Sequence, residues 1–152
     1  MKKYLSLVLF AHSVFALPFA FIGFFLALHT TDYTFSWKLL VLMLVCMVTA
    51  RNAAMAFNRY LDRDIDAINP RTAMRDIPAG KISAKNALIF TLVNCLIFMA
   101  ATYFINSLCF MLSPIALFVV LFYSYTKRIT PLCHLVLGAG LGLAPIGAYM
   151  VI

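Results

Sequence analysis

Five stretches of this chain are apolar for about as long as a helix needs to cross a bilayer, and most of the charge falls between them. A hydrocarbon core of about 30 Å takes about 20 residues of helix. Backbone in lipid has to satisfy its own hydrogen bonds, so such stretches fold as helices. The candidate spans are residues 5–28, 37–57, 84–105, 110–125 and 132–152. The fourth is short and contains Ser113-Pro114, so it either starts earlier, near Leu108, or packs as a broken helix. The expected fold class is an all-α polytopic membrane protein with about five transmembrane helices, forming a single transmembrane domain over 1–152.

Composition agrees with that reading. Of 152 residues, 64% are hydrophobic and 11% are charged, whereas soluble domains carry about 25% charged residues. The net charge of +7 is not a nucleic-acid signal, because neither zinc-finger spacing nor a basic helix interleaved with aromatics accompanies it. The basic residues are distributed unevenly. Lys2 and Lys3 precede the first span. Arg59, Arg63, Arg71, Arg75, Lys81 and Lys85 lie in or beside the link between the second and third, and Lys127 and Arg128 lie between the fourth and fifth. The opposite side has only Lys38. The positive-inside rule then expects an integral protein of the cytoplasmic (inner) membrane, with its N-terminus and both basic links in the cytoplasm. Met1-Lys2-Lys3 leads into a first span with no clear cleavage site, so that span reads as retained. Cys46, Cys95, Cys109 and Cys133 stand alone in apolar surroundings and read as small buried hydrophobes. Pro18 suggests a kink in the first span, and Gly138-x-x-x-Gly142 a close helix contact in the fifth. The chain ends inside an apolar run, which reads as a truncated chain.

The second span ends in Asn58-Arg59-Tyr60-Leu61-Asp62-Arg63-Asp64-Ile65-Asp66. Steps of four place Asn58, Asp62 and Asp66 on one broad helix face. Arg51 lies seven residues before Asn58 and eleven before Asp62, offsets that return almost to the same direction, so it joins this stripe. An arginine in hydrocarbon costs about 2.5–3.5 kcal/mol on insertion scales, and its position in line with an amide and two acids marks it as a pocket candidate. Arg59 and Arg63 read as snorkelling charges at a helix end, and Asp64 points away from the stripe. Two neighbouring carboxylates repel, which favours a shared proton or a bound cation. Magnesium bridging Asp62 and Asp66 to a diphosphate would relieve that repulsion.

The segment about 63–83 reads as a basic substrate-binding loop. Pro70 should end the helix near Asn69. Arg71, Arg75 and Lys81 come next as donors for phosphate oxygens, with arginine offering a bidentate fork. Tyr123 and Lys127 are four apart and can share a helix face on the same membrane side, with Arg128 beside them; an aromatic belt with basic anchors accounts for that group equally well.

By these residues, the chain resembles the UbiA superfamily of intramembrane aromatic prenyltransferases. The resemblance rests on Asn58, Asp62 and Asp66 as the first aspartate-rich motif and on Arg71-Thr72-Ala73-Met74-Arg75 with Pro78 and Gly80 as the basic loop. Tyr123 and Lys127 match a Tyr-x-x-x-Lys element. It looks nearest to the 4-hydroxybenzoate polyprenyltransferases of quinone biosynthesis. The resemblance implies a bundle of nine helices, of which this chain supplies about the first half, without the second aspartate-rich motif. It implies Mg2+-dependent transfer of a polyprenyl group from polyprenyl diphosphate to an aromatic acid such as 4-hydroxybenzoate, with the isoprenoid tail in membrane lipid. Asn58, Asp62 and Asp66 would be catalytic, with Asp62 and Asp66 holding the metal. Arg71, Arg75, Lys81, Tyr123, Lys127 and Arg128 would bind diphosphate. On its own the fragment would be inactive. Some relatives carry an arginine in the first helix for the acceptor carboxylate; His12 stands at about that depth here and is a weaker pocket candidate. Haem O synthases and lipid or chlorophyll prenyltransferases share the motif and are the nearer rivals. A CDP-alcohol phosphotransferase lacks support, because Phe57-Asn58-Arg59 stands where its Asp-Gly opening belongs. A membrane transporter would spread its polar groups through several helices at mid-membrane, whereas these gather at one edge.

Overall fold

The computed structural model describes residues 10–130 and 132–152, with side chains from Leu17 onward. Lys2, Lys3, the side chain of His12 and the start of the first span therefore lie outside the described residues. Five helices succeed one another: α1 Phe10–Thr30, α2 Trp37–Ile68, α3 Ala84–Ile105, α4 Ser107–Ile129 and α5 Cys133–Tyr149. Among the described residues α2, α3 and α4 are each long and apolar enough to cross a membrane, which makes this a polytopic membrane protein.

The 32 residues of α2 make a helix about 48 Å long at about 1.5 Å per residue. That exceeds a hydrocarbon core of about 30 Å, so one helix both spans the apolar layer and carries the polar stripe beyond it. The helix ends at Ile68 with Asn69 as its cap, the Asn69 N–H bonding the Ile65 carbonyl, as Pro70 requires. Residues 63–68 of the expected loop are thus helical.

Beyond Asn69 the chain forms a docked link rather than an open loop. Ile82 is buried and packs with Ala56 of α2 and Ala87 of α3, and half-buried Ile77 and Tyr60 close over them. Successive turns (Thr72 N–H to Asn69 O at 2.9 Å, Ala79 N–H to Arg75 O at 2.9 Å, Ile82 N–H to the Asp76 carbonyl at 3.0 Å) fold the link back on itself. Gly80 makes the reversal at φ 71°, where a side chain would be strained. Ser83 then caps α3, its Oγ accepting the Asn86 N–H at 3.1 Å.

Between α3 and α4 there is a single residue, Asn106. Its Oδ1 accepts the Cys109 N–H at 2.7 Å and so caps α4, while its Nδ2 donates to the Met150 carbonyl at 2.9 Å. This cap starts α4 at Ser107, in line with the earlier of the two starts the sequence leaves open, near Leu108, and the helix runs on to Ile129. Pro114 does not break it. Proline cannot donate to the carbonyl four residues back, but the Ser113 hydroxyl donates to that same Phe110 carbonyl at 2.8 Å.

Helix α1 packs on α5, α3 on α2, and α4 against α2, α3 and α5. At the end away from the polar stripe, Ala20 and Phe24 of α1, Leu39 and Met43 of α2, Ala148 of α5 and Val151 form the main core. Among the described residues, a Cβ built on Gly138 or Gly142 meets nothing within 4 Å. A Cβ on Gly23 would instead overlap the Pro145 carbonyl. The α1 backbone crosses α5 where Pro145 exposes its main chain, and only glycine permits that approach.

Candidate functional site at the polar end of α2

The period of α2 carries Asn58, Asp62 and Asp66 along one face, and that face is turned inward. Asp62 and Asp66 are both 6% exposed. Asp64 points to solvent beside Arg63, at 3.7 Å. Arg63 itself donates to the Tyr60 carbonyl at 2.8 Å and lies over the Tyr60 ring at 4.6 Å.

Asp62 and Asp66 each have a cation from another part of the chain. Lys127, in the last turn of α4, donates through Nζ to Asn58 Oδ1 at 3.1 Å and to Asp62 Oδ2. Arg128 reaches the other Asp62 oxygen at 3.6 Å and donates to the Leu61 carbonyl. From the link, Arg75 Nη1 donates to both oxygens of Asp66 at 2.9 Å, and Thr72 Oγ1 donates to the Asp66 carbonyl at 3.1 Å. Burying a carboxylate is costly unless it is paired, so these contacts explain why the acidic face tolerates its position. They also tie the link and α4 to the end of α2.

A cavity of about 750 Å³ runs from this region into the helices. Its wall is mainly apolar, with Met47, Leu117, Val120 and Leu137 among its residues. Asn58, Arg59, Arg75 and Tyr123 supply polar groups, and Arg51 lies on the same wall. The Nε of Arg51 is buried and has no hydrogen-bond partner. Asp62 and Asp66 stand one and two turns beyond Asn58, beneath Lys127 and Arg75.

The residues expected at a site divide accordingly. Asn58, Asp62, Lys127 and Arg128 come together, as do Asp66 and Arg75, while Arg51 and Tyr123 border the cavity. Arg71 and Lys81 are exposed and are not part of the cavity wall. Arg59 reads in the sequence as a snorkelling charge, yet it lines the cavity beside Arg75. Helical period hides it, since it is turned about 100° from Asn58; the placement of α4 and the link makes the cavity wide enough to reach it.

The donor set suits a small hard cation. Asn58, Asp62 and Asp66 offer oxygen ligands, and Asp62 Oδ1 is buried with no hydrogen-bond partner. No group of three or more acidic, His or Cys side chains converges among the described residues. Magnesium commonly binds through one or two carboxylates, with phosphate and water completing its shell, so two aspartates are a sufficient protein share.

Known proteins place this arrangement in a family. The model of the UbiA prenyltransferase family matches residues 16–152. The chain is 36% identical over 115 residues to the 4-hydroxybenzoate octaprenyltransferase of Aliivibrio salmonicida, covering 74% of this chain and 40% of that protein. It is 43% identical over 103 residues to the protoheme IX farnesyltransferase of Neorickettsia sennetsu, covering 66% and 34%. Among solved structures, a UbiA homolog from Aeropyrum pernix K1 superimposes with a TM-score of 0.84 at 36% identity, over 93% of this chain and 50% of that one. A UbiA homolog from Archaeoglobus fulgidus bound to DMAPP and Mg2+ superimposes with a TM-score of 0.80 at 24% identity, over 99% and 54%. The chain thus spans about 40% or less of the length of these two curated relatives and about half of these solved structures. Matched over nearly its whole length by the family model, the chain belongs to the UbiA prenyltransferase family.

Proposed function

We propose that these helices form the donor-binding part of a Mg2+-dependent prenyltransferase that moves a polyprenyl group from its diphosphate to an aromatic acid such as 4-hydroxybenzoate, in ubiquinone or menaquinone biosynthesis. The observation that carries this reading is the pair of buried aspartates on one face of α2, ringed by Lys127, Arg128 and Arg75, at the polar end of an apolar cavity. The polar end suits a diphosphate and the apolar wall suits an isoprenoid tail, which gains about 0.8 kcal/mol per buried CH₂. The cytoplasmic membrane is the proposed location, with the N-terminus and the acidic end of α2 toward the cytoplasm.

Asp62 and Asp66, with Asn58 nearby, would hold magnesium, in keeping with the Mg2+ of the Archaeoglobus fulgidus homolog. When bound, the ion neutralises charge that grows on the diphosphate as the bond to the allylic carbon breaks. Lys127 and Arg75 would pass from the aspartates to diphosphate oxygens, and Arg128, Arg71 and Lys81 would add positive potential at the entrance. These donors act where charge develops, so they favour the transition state over the bound ground state. The Tyr123 side chain would position the donor at the cavity mouth. Cleavage of the carbon–oxygen bond releases diphosphate and leaves an allylic cation, which bonds to the acceptor ring ortho to its hydroxyl as the ring loses a proton. Apolar walls keep water from the cation. Arg51, and His12 if it reaches the pocket, would pair with the acceptor carboxylate.

The match to a protoheme IX farnesyltransferase supports a second reading with the same donor chemistry and haem as acceptor. One experiment separates the two. Membranes carrying the protein are given geranyl diphosphate with either 4-hydroxybenzoate or protohaem IX, and the products are read by mass spectrometry. Prenylated 4-hydroxybenzoate, lost in Asp62→Ala with insertion intact, is the expected result. A haem product alone would replace the acceptor, and undiminished turnover in Asp62→Ala would remove that residue from the chemistry.

A further inference from the structure

The cations around the two aspartates are not equivalent. Lys127 is engaged by Asn58 and Asp62, Arg128 by Asp62 and Leu61, Arg75 by Asp66, and Arg63 by Tyr60 and Asp64. Arg59 differs from all of them. Its half-buried side chain lines the cavity beside Asn58 and Arg75, and it makes no hydrogen bond or ion pair within the described residues. A half-buried guanidinium with no hydrogen-bonded acceptor among the described residues keeps five donors available, and its desolvation is offset only at longer range by the carboxylates of Asp76 and Asp66. Its donors face a cavity that an anion could enter. Arg59 also lies within electrostatic reach of Arg75, Asp66 and Asp76, which places its charge among the diphosphate candidates rather than at the lipid headgroups.

We infer that Arg59 is a further diphosphate-binding residue, the cation that meets the incoming anion while Lys127 and Arg75 are still held by Asp62 and Asp66. The inference rests on the donor chemistry proposed above and adds a residue and an order of contact to it. Arginine is suited to the task because its planar fork matches two phosphate oxygens at once. Contact by Arg59 leaves the aspartate pairs intact at first, so an anion can be captured before any internal ion pair opens.

The test is binding of inorganic pyrophosphate to the full-length protein in nanodiscs, measured by calorimetry with and without Mg2+. Arg59→Gln should weaken binding roughly tenfold to a hundredfold, the range for hydrogen bonds to charged groups, and the loss should already be present without Mg2+. Arg59→Lys keeps the charge without the fork and should fall between; it also serves if the Gln variant inserts poorly. Arg63→Gln, whose side chain is spent on Tyr60, should bind as the parent does. Equal affinity in parent, Arg59→Gln and Arg59→Lys would overturn this inference and leave the donor chemistry standing. A parent protein with no saturable pyrophosphate binding would overturn both.

Discussion

Lys127 and the proposed magnesium ion compete for the same oxygens. The ammonium bonds Asn58 Oδ1 at 3.1 Å and Asp62 Oδ2; an ion bound there would displace it. Two unit charges about 4 Å apart attract by about 4 kcal/mol at an effective dielectric near 20. Lysine loses rotamer freedom in the pair and its side chain is still 27% exposed, so about 1–2 kcal/mol is a reasonable net value for Lys127 on Asp62. Lys127→Met preserves the length of the side chain and removes the competitor. Magnesium should then bind the protein about 5–30 times more tightly in the absence of diphosphate, the factor that corresponds to 1–2 kcal/mol. Without metal the variant should be less stable by a similar amount, because Asp62 retains only Arg128 at 3.6 Å. The assay is thermal unfolding in nanodiscs across a Mg2+ series, with Mn2+ binding followed by electron paramagnetic resonance. Mg2+ should raise the midpoint of the variant more than that of the parent. An identical metal response in the two proteins would refute the competition and leave Lys127 as a packing or topology residue.

Two other changes probe the scaffold. Gly23→Ala should destabilise the α1–α5 contact by about 1–3 kcal/mol, the usual cost of overpacking, because the new Cβ meets Pro145 backbone rather than a movable side chain; Gly138→Ala, with open space around it, should unfold at the parent temperature or slightly above. At the other hairpin, Asn106→Ala should cost about 2 kcal/mol, about half from the lost cap and half from the bond to Met150, while Asn106→Ser retains a capping oxygen without the donor to Met150 and should cost about half as much; equal losses in the two variants would place the effect in the Met150 contact alone. Both series are read by thermal unfolding in detergent.

Much of this protein was legible because lipid leaves the backbone few options. Apolar runs of about 20 residues mark helices, and the structure has helices over all five candidate regions. The four-residue step from Asn58 to Asp66 is equally direct, since helical geometry alone puts these oxygens on one face. Local chemistry was harder to see. Ser113-Pro114 leaves a choice between an earlier helix start and a break; the helix starts earlier and stays continuous, with the Ser113 hydroxyl taking over the bond that proline cannot make. Gly138 and Gly142 have the spacing of a packing motif, but the tight crossing is at Gly23, whose partner Pro145 is remote in sequence.

The length of the apolar runs therefore determined the membrane class and the helical regions, and the helical period determined the acidic face of α2. Pairing between helices was decided only in three dimensions. Arg75 and Lys127 were both donors in the sequence, but which aspartate each one meets depends on how the link folds over Ile82 and how α4 leans on α2. The same packing leaves Arg71 and Lys81 outside and brings Arg59 to the cavity wall. A helix repeats its own directions every 3.6 residues, and that repeat carries no information about which neighbour will stand opposite.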